Sequence, residues 1–569
     1  MTDRIFYIDA NRGSDSNDGL SKSAAWASLS KITAQTDAGP GDHFLLADDS
    51  RWTLDYDVGA DQRVIPSTSW TGNRRHPVVI GKYSPSSQSV GNNPTIVFHH
   101  EVAANEWVYD ANLNGWIWTG PSAHLNQVML LRLGDTWVAN ANDGGSAAVE
   151  GTSTGAVLSI DGRFNYVSGN TKFLLYAPAG TNPTTYYGKV IVSPEATGAI
   201  VLSSGRKCVT VRDIHFEETG CGVSMYSNNS TEARYIAQGL SGRITSSLVY
   251  ATGDTSGTLE AIVEECEIND YGAIGIHAYS VSGAGIKSIE VRRNKLRGGG
   301  YNQSQAAIYM QVRNTASEGI CRIWGNDIAG YAWGTRDKGY DGCGIYAETG
   351  ADGMLIYGNV VHDQYCAFQD NSGRRNLWYG NVAYNVRIGF RLSDQMGNNQ
   401  SDCRLINNTL LVGDLGQSPS QWGSAQGQEY PGIWMYKTSS TLNLTATNNI
   451  IANLGGQRGR AAFGLPDVYA TSTYSLTNNW VYGFEADALK ASDNTVPSPA
   501  VTVTNAGTGD PTADLHPDGR LRMTEAGENP LADIGTYVQG VQLRNGRLRP
   551  GFCPIGAFAA VLPGAARTA

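Results

Sequence analysis

Three carboxylates, Glu348, Asp370 and Asp394, follow one another at intervals of 22 and 24 residues in the middle of a chain of 569. Paired carboxylates do the proton work of glycoside cleavage: one acid protonates the leaving oxygen, while its partner attacks the sugar about 5 Å away or activates a water across about 6.5–9.5 Å. Parallel strands stack at about 4.8 Å, so if each carboxylate sits on its own rung, adjacent rungs approach the first spacing and alternate rungs the second. Glu348 with Asp370 would then suit retention, and Glu348 with Asp394 inversion. Like charges this close resist joint ionisation, so one member is expected to keep its proton as general acid. The loop GYAWGTRDKGYDGCG (330–344), just before Glu348, adds Asp341 as a further acid and Lys338 as a cation for substrate. Against this stands strand parity: counted from Ile345, Phe368 and Phe390 as inward, Glu348 points out, whereas Asp370 and Asp394 point in unless the strand has turned a corner.

A second set of residues precedes the carboxylates. The phrases GIHAYS, AIYMQVR, GIYAETG, AFQDNSG, GFRLSDQ and GIWMYKT place an aliphatic or phenylalanine residue inward, and turn His277, Tyr309, Tyr346, Gln369, Arg391 and Trp434 outward. Such a column, extended by Tyr436, offers rings that stack on sugars and polar edges that bind hydroxyls. The plainer alternative is a solvated face with scattered aromatics.

These residues need an element that repeats. It is visible as VRRNKLRG, IWGNDIAG, IYGNVVHD, WYGNVAYN, LINNTLLV, ATNNIIAN and LTNNWVYG, whose asparagines, Asn294, Asn326, Asn359, Asn381, Asn408, Asn449 and Asn479, lie 22 to 41 residues apart. A strand, a turn and two further short strands fill the shortest interval, which makes each phrase one coil of a solenoid and the longer intervals its loops. An asparagine at a coil corner can hydrogen-bond the next coil, a structural role. TVRDIHFE and VEECEIND keep the frame with Asp213 and Cys266 in the asparagine position, so the ladder is expected to begin near residue 200.

The N-terminal FYIDANRGSDSNDGLSKSAAWASLSKI reads as a strand, a turn and a short amphipathic helix through Trp26, Leu29 and Ile32. It resembles the cap of right-handed parallel β-helix proteins that act on carbohydrates, a group that includes tailspike-like polysaccharide depolymerases. The segments DGRLRMTEAGENPLADIGTYVQG and GRLRPGFCPIGAFAA resemble their closing segment. The resemblance implies an all-β chain, a right-handed parallel β-helix with an N-terminal cap, to which the spacing of strands and turns adds an inserted antiparallel β domain. The expected division is cap and first coils at 1–100, the insert at 101–189, the central β-helix at 190–485, and terminal coils with a cap at 486–569. Within the insert, strands alternate with turns and lack the asparagine phrase.

The composition of 68 Gly and 28 Tyr with 17% charged residues suits a turn-rich, helix-poor fold. A net charge of −10 disfavours nucleic acid and anionic membranes as partners. No apolar run reaches the ~18 residues of a membrane span. The opening MTDRIFYIDANRG lacks the basic-then-apolar pattern of a secretory leader. The eight cysteines show no metal-ligand spacing and read as small buried residues. No metal or other cofactor is expected, with calcium at Asp15, Asn17 and Asp18 as the one structural option. The leading expectation is a glycosidase on an extracellular or capsular-type polysaccharide, as monomer or homotrimer, extracellular or borne on a virion. The alternatives are a lyase that removes a uronate proton and a glycan-binding spike without catalysis.

Overall fold

A computed structural model describes residues 3–55, 62–85, 92–112, 114–118, 128–134, 136–138, 164–167, 172–194, 198–203, 205–227, 232–253, 258–271, 274–280, 286–298, 306–312, 321–330, 343–348, 351–394, 403–413, 432–438, 443–454, 459–465, 473–490, 503–507, 542–543 and 546–547. The fold is all-β with parallel pairing, and it divides into two compact units. One is Met1–Lys287 with Leu296–Gln305 and Trp333–Tyr340; the other is Ser288–Lys295, Ala306–Ala332 and Asp341–Ala569.

In the second unit the strands form three parallel columns, each strand pairing with its counterpart one repeat later. The first column runs through Arg322–Trp324, Leu355–Tyr357, Leu377–Tyr379, Cys403–Ile406 and Asn443–Thr447. The other two share long strands that turn a corner midway. Val360–Asn371 pairs through Val360–His362 with one column and through Cys366–Asn371 with the next, and Val382–Asp394 does the same. At the bends Asp363 and Asn385 take left-handed backbone, φ 50° and 49°. Inward residues of the first column and of the column carrying Cys366–Asn371 meet at Trp378, Phe368 and Phe390, whose ring centroids lie 4.8 to 5.8 Å apart.

A left-handed residue also precedes every ladder asparagine: Arg293, Gly325, Gly358, Gly380, Asn407, Asn448 and Asn478 all have φ between 54° and 66°. That turn drives the following side chain into the interior, where each asparagine is at most 1% exposed. There the amides link. Asn326 Oδ1 accepts from the backbone N–H and Nδ2 of Asn294 at 3.0 and 2.9 Å, and Asn326 Nδ2 reaches Val291 O at 3.0 Å. The pattern repeats through Asn359, Asn381, Asn408, Asn449 and Asn479, so the buried amides are satisfied by one another and by strand carbonyls.

The first unit uses the same parallel pairing, and it runs through strands of the first hundred residues. Ile5–Ile8 pairs parallel with His43–Ala47, that strand with Val78–Tyr83, and Val78–Tyr83 directly with Val209–Arg212. In the coil of TVRDIHFE the ladder position is Ile214, not Asp213. Asp213 is the left-handed residue at φ 56°, and Ile214 O accepts from Ser241 N as Asn294 O accepts from Asp327 N. Trp26 lies outside the helix expected there: the helix is Ser30–Ala34, while Trp26 bridges Ile8 and stacks on Phe6 at 5.1 Å. Asp15 accepts from the N–H of Ala27 and Ser28 and from the Ser28 hydroxyl, so its oxygens fasten the turn.

Among the described residues between Phe98 and Gly198 the chain builds two four-stranded antiparallel sheets. Val102, Trp107, Trp118, Leu133, Leu175, Val190 and Val192 are buried together, so Trp107 and Trp118 fill this core and offer no face to a ligand. The seven described cysteines are free thiols and six are buried. Cys553 and nearly all of the closing segment lie outside the described residues.

Candidate functional site

The outward column of the second unit has the expected register: Tyr309 pairs with Tyr346, Tyr346 with Gln369, Gln369 with Arg391, and Arg391 with Trp434. It is not an open face. Tyr346, Gln369, Arg391 and Trp434 are only 5, 2, 3 and 6% exposed, and Tyr309 alone is half-buried. The members cover one another. Tyr309 meets Tyr346 edge-on at 5.2 Å, Gln369 Oε1 accepts from Cys343 Sγ and from the Arg391 guanidinium, and Tyr346 and Trp434 pack with Tyr365, Cys366 and Ile388. Small residues between the large ones, Ala306, Cys343 and Ala461, let the rings lie down on the strands.

Glu348 follows Tyr346 at the same outward parity and is half-buried. Its backbone N–H donates to Met310 O and its carbonyl accepts from Ala351 N. The carboxylate is positioned by Asn371, whose Nδ2 donates to Glu348 Oε1 at 2.8 Å and to the Tyr346 hydroxyl at 3.1 Å. Asn371 is itself held by the Ser393 hydroxyl, which donates to Asn371 Oδ1 at 2.9 Å. Glu348, Tyr346, Asn371 and Ser393 therefore form one hydrogen-bonded group over three successive rungs. Asn371 and Ser393 are absent from the residues expected from sequence, although alternation from Gln369 and Arg391 places both outward.

Asp370 does not join this group. It faces inward and is fully buried; Oδ2 accepts from Trp378 Nε1 at 2.9 Å and Asn376 Nδ2 at 3.0 Å, and Oδ1 from Gly373 N at 3.2 Å. Burial pushes its carboxyl up to about 6, against the pull of these donors. Its work is to pin the corner between two columns. The inward parity that weighed against Asp370 is thus the arrangement found. Asp394 ends its strand opposite Thr438, at a register shift, and its side chain lies outside the described residues, as do those of Tyr436, Asp341 and Lys338.

His277 belongs to the first unit, where it meets Tyr250 edge-on at 4.8 Å, and burial lowers its imidazole to about 4. His362 lies between Asp363 at 2.7 Å and Asp327 at 3.2 Å and stacks flat on Tyr384. Burial opposes its charge, but the two carboxylates outweigh that and hold the imidazolium above its ordinary range. A further aromatic row, Trp324, Tyr357 and Tyr379, stacks face to face within 9° along the first column, with Arg292 and Arg293 over Trp324. Its faces are spent on one another, leaving edges outward, so it is a scaffold ladder and not a sugar platform. No group of side chains suited to a metal ion occurs among the described residues.

No family model and no curated protein matches the chain. Among solved structures it is similar to XylC in complex with xylose, at 12% identity and a TM-score of 0.46, over 98% of each chain. It is also similar to a GH136 lacto-N-biosidase from Eubacterium ramulus, at 12% identity and a TM-score of 0.39, over 89% of this chain and 67% of that one. A third likeness is to pectate lyase Pel9A, at 13% identity and a TM-score of 0.30, over 99% and 97%.

Proposed function

We propose that this chain is a glycoside hydrolase that cuts an extracellular polysaccharide along a right-handed parallel β-helix, with Glu348 as one of its two working carboxylates. The observation that carries the reading is the position of Glu348: outward, half-buried, and oriented by an amide that also holds a tyrosine hydroxyl. An oriented carboxyl beside a hydroxyl is the arrangement a general acid or base needs against a glycosidic oxygen or a water. Its partner is assigned to Asp394, on the rung two beyond, or to Asp341 in the preceding loop; an Asp394 partner implies inversion.

Elimination, which needs a cation for the uronate carboxylate, has less support among the described residues, where Arg391 is buried on Gln369 and Arg375 is held bidentate by Asp352 at 2.8 Å; Arg336 and Lys338 lie outside them. Incubation with a panel of neutral and uronate polysaccharides tests the proposal. New reducing ends without ultraviolet absorbance, lost in Glu348→Gln, are expected. Absorbance from an unsaturated uronate would replace hydrolysis with elimination, and no products from any member would leave only binding.

A further inference from the structure

A cleft of about 600 Å³ lies on the first unit, remote in sequence from Glu348. Its floor is one outward row of the parallel stack: Arg51 pairs with Thr95, Thr95 with His215, His215 with Ser241, and Ser241 with Glu267. Five rungs at about 4.8 Å make a straight track about 19 Å long. One wall is the corner that precedes each strand, bringing Asp49, Asn93 and Glu265 alongside the track.

The side chains are set by their neighbours. His215 Nδ1 and the Ser241 hydroxyl lie 2.9 Å apart, Asn93 Nδ2 donates to Ser241 Oγ at 3.4 Å, and Lys82 Nζ donates to Asn93 Oδ1 at 2.8 Å. Arg51 is engaged by Glu217, and Asp49 by Arg12 at 2.6 Å. The lining mixes donors and acceptors, its one aromatic ring is the imidazole of His215, and its carboxylates outnumber its one guanidinium. Apolar ligands find little surface there, and phosphates, sulfates and uronates meet net repulsion. A hydroxyl both donates and accepts, and a linear saccharide presents hydroxyls at regular intervals along an extended axis.

We propose that this cleft binds a neutral oligosaccharide lengthwise on the row Arg51, Thr95, His215, Ser241 and Glu267. The site stands on residues of a different unit from Glu348 and does not rest on the cleavage reading. The test is calorimetric titration of the full chain carrying Glu348→Gln, so that turnover cannot consume the probe, with cello-, xylo- and manno-oligosaccharides, and oligogalacturonate as acidic contrast. At least one neutral series is expected to bind saturably, with affinity lowered about tenfold, or ~1.4 kcal/mol, by His215→Ala and by Glu267→Ala. Ser241→Trp, which fills the track, is expected to abolish binding; circular dichroism and melting confirm that each variant is folded. If Ser241→Trp fails to fold, the two alanine variants decide. Absence of binding by every neutral series, binding that survives all three substitutions, or preference for oligogalacturonate would overturn the site. None of these outcomes depends on whether the wild-type chain cleaves a polysaccharide.

Discussion

Asn359→Ala measures what the buried amide ladder contributes. Asn359 Oδ1 accepts from the backbone N–H of Asn326 at 3.1 Å and from its Nδ2 at 2.9 Å, while Asn359 Nδ2 donates to Ile323 O at 3.0 Å and to Asn381 Oδ1 at 2.9 Å. Alanine removes all four bonds at a position that is 0% exposed. Asn381 Oδ1 keeps the backbone N–H of residue 359, and Asn326 Nδ2 keeps Val291 O. The donors left stranded are therefore the Asn326 N–H and one Nδ2 proton, while Ile323 O loses its side-chain donor. At about 1–3 kcal/mol for each buried unsatisfied group, the loss is roughly 4 kcal/mol. For a unit of this size that corresponds to a melting temperature lower by roughly 8 °C. Thermal melting gives the total, and hydrogen exchange read by mass spectrometry gives its location: protection should fall over residues 323–328 and 356–361, and stay unchanged around Phe6 and Trp26. Asn359→Asp separates acceptor from donor. Its buried carboxyl would titrate above the ordinary value near 3.9, so the penalty is smallest below about pH 4 and grows as pH rises. A melting temperature within about a degree of wild type, or protection lost evenly over the chain, would refute the ladder's role.

The other predictions concern single groups. Glu348→Gln is expected to abolish release of reducing ends while circular dichroism and melting stay as in wild type; full activity would remove Glu348 from the site. Asp370 titrates at about 6 in the folded chain, above its unfolded value near 3.9, so its contribution is complete below about pH 4 and lost as pH rises through 6. Asp370→Asn should erase that part of the pH–stability curve, and should cost about 1–3 kcal/mol by turning an NH₂ toward existing donors. His362, raised by Asp327 and Asp363, contributes fully below about 6.5 and loses its contribution as pH rises through its folded value. Because both carboxylates are about half exposed, His362→Gln should flatten the melting-temperature profile on the neutral side by less than about 1 kcal/mol, and an unchanged profile would show the pairs to be idle.

Much of the scaffold was legible because a stacked coil asks for the same side chain at the same corner each time, and asparagine answers with both donor and acceptor. The phase slipped in the coil of Asp213, where the left-handed residue before the ladder position is itself one of the types that resemble a ladder member. Alternation ordered Tyr309, Tyr346, Gln369, Arg391 and Trp434 correctly. It could not show that they bury one another, because that depends on contacts between rungs, such as Cys343 with Gln369, rather than on direction along a strand. Asp370 drew attention as an acid, yet its neighbour Asn371 holds Glu348; an amide has no titration to advertise it. Ile5–Ile8 and Val209–Arg212 belong to one column although an antiparallel insertion separates them in sequence, a continuity that strand pairing shows and the asparagine phrase does not.

The amide ladder also has a sense of travel. In every link the earlier asparagine donates and the later one accepts, from Asn294 to Asn326 and onward to Asn479. Each coil thus leaves two donors waiting, and only a coil that arrives in phase brings an oxygen to meet them. A slip of one residue presents the wrong side chain and strands both protons, so the ladder works as a proofreader of register during stacking. Since every link is chemically the same, the number of coils is free to change while their phase is not, and loops can lengthen between rungs without disturbing the rung itself.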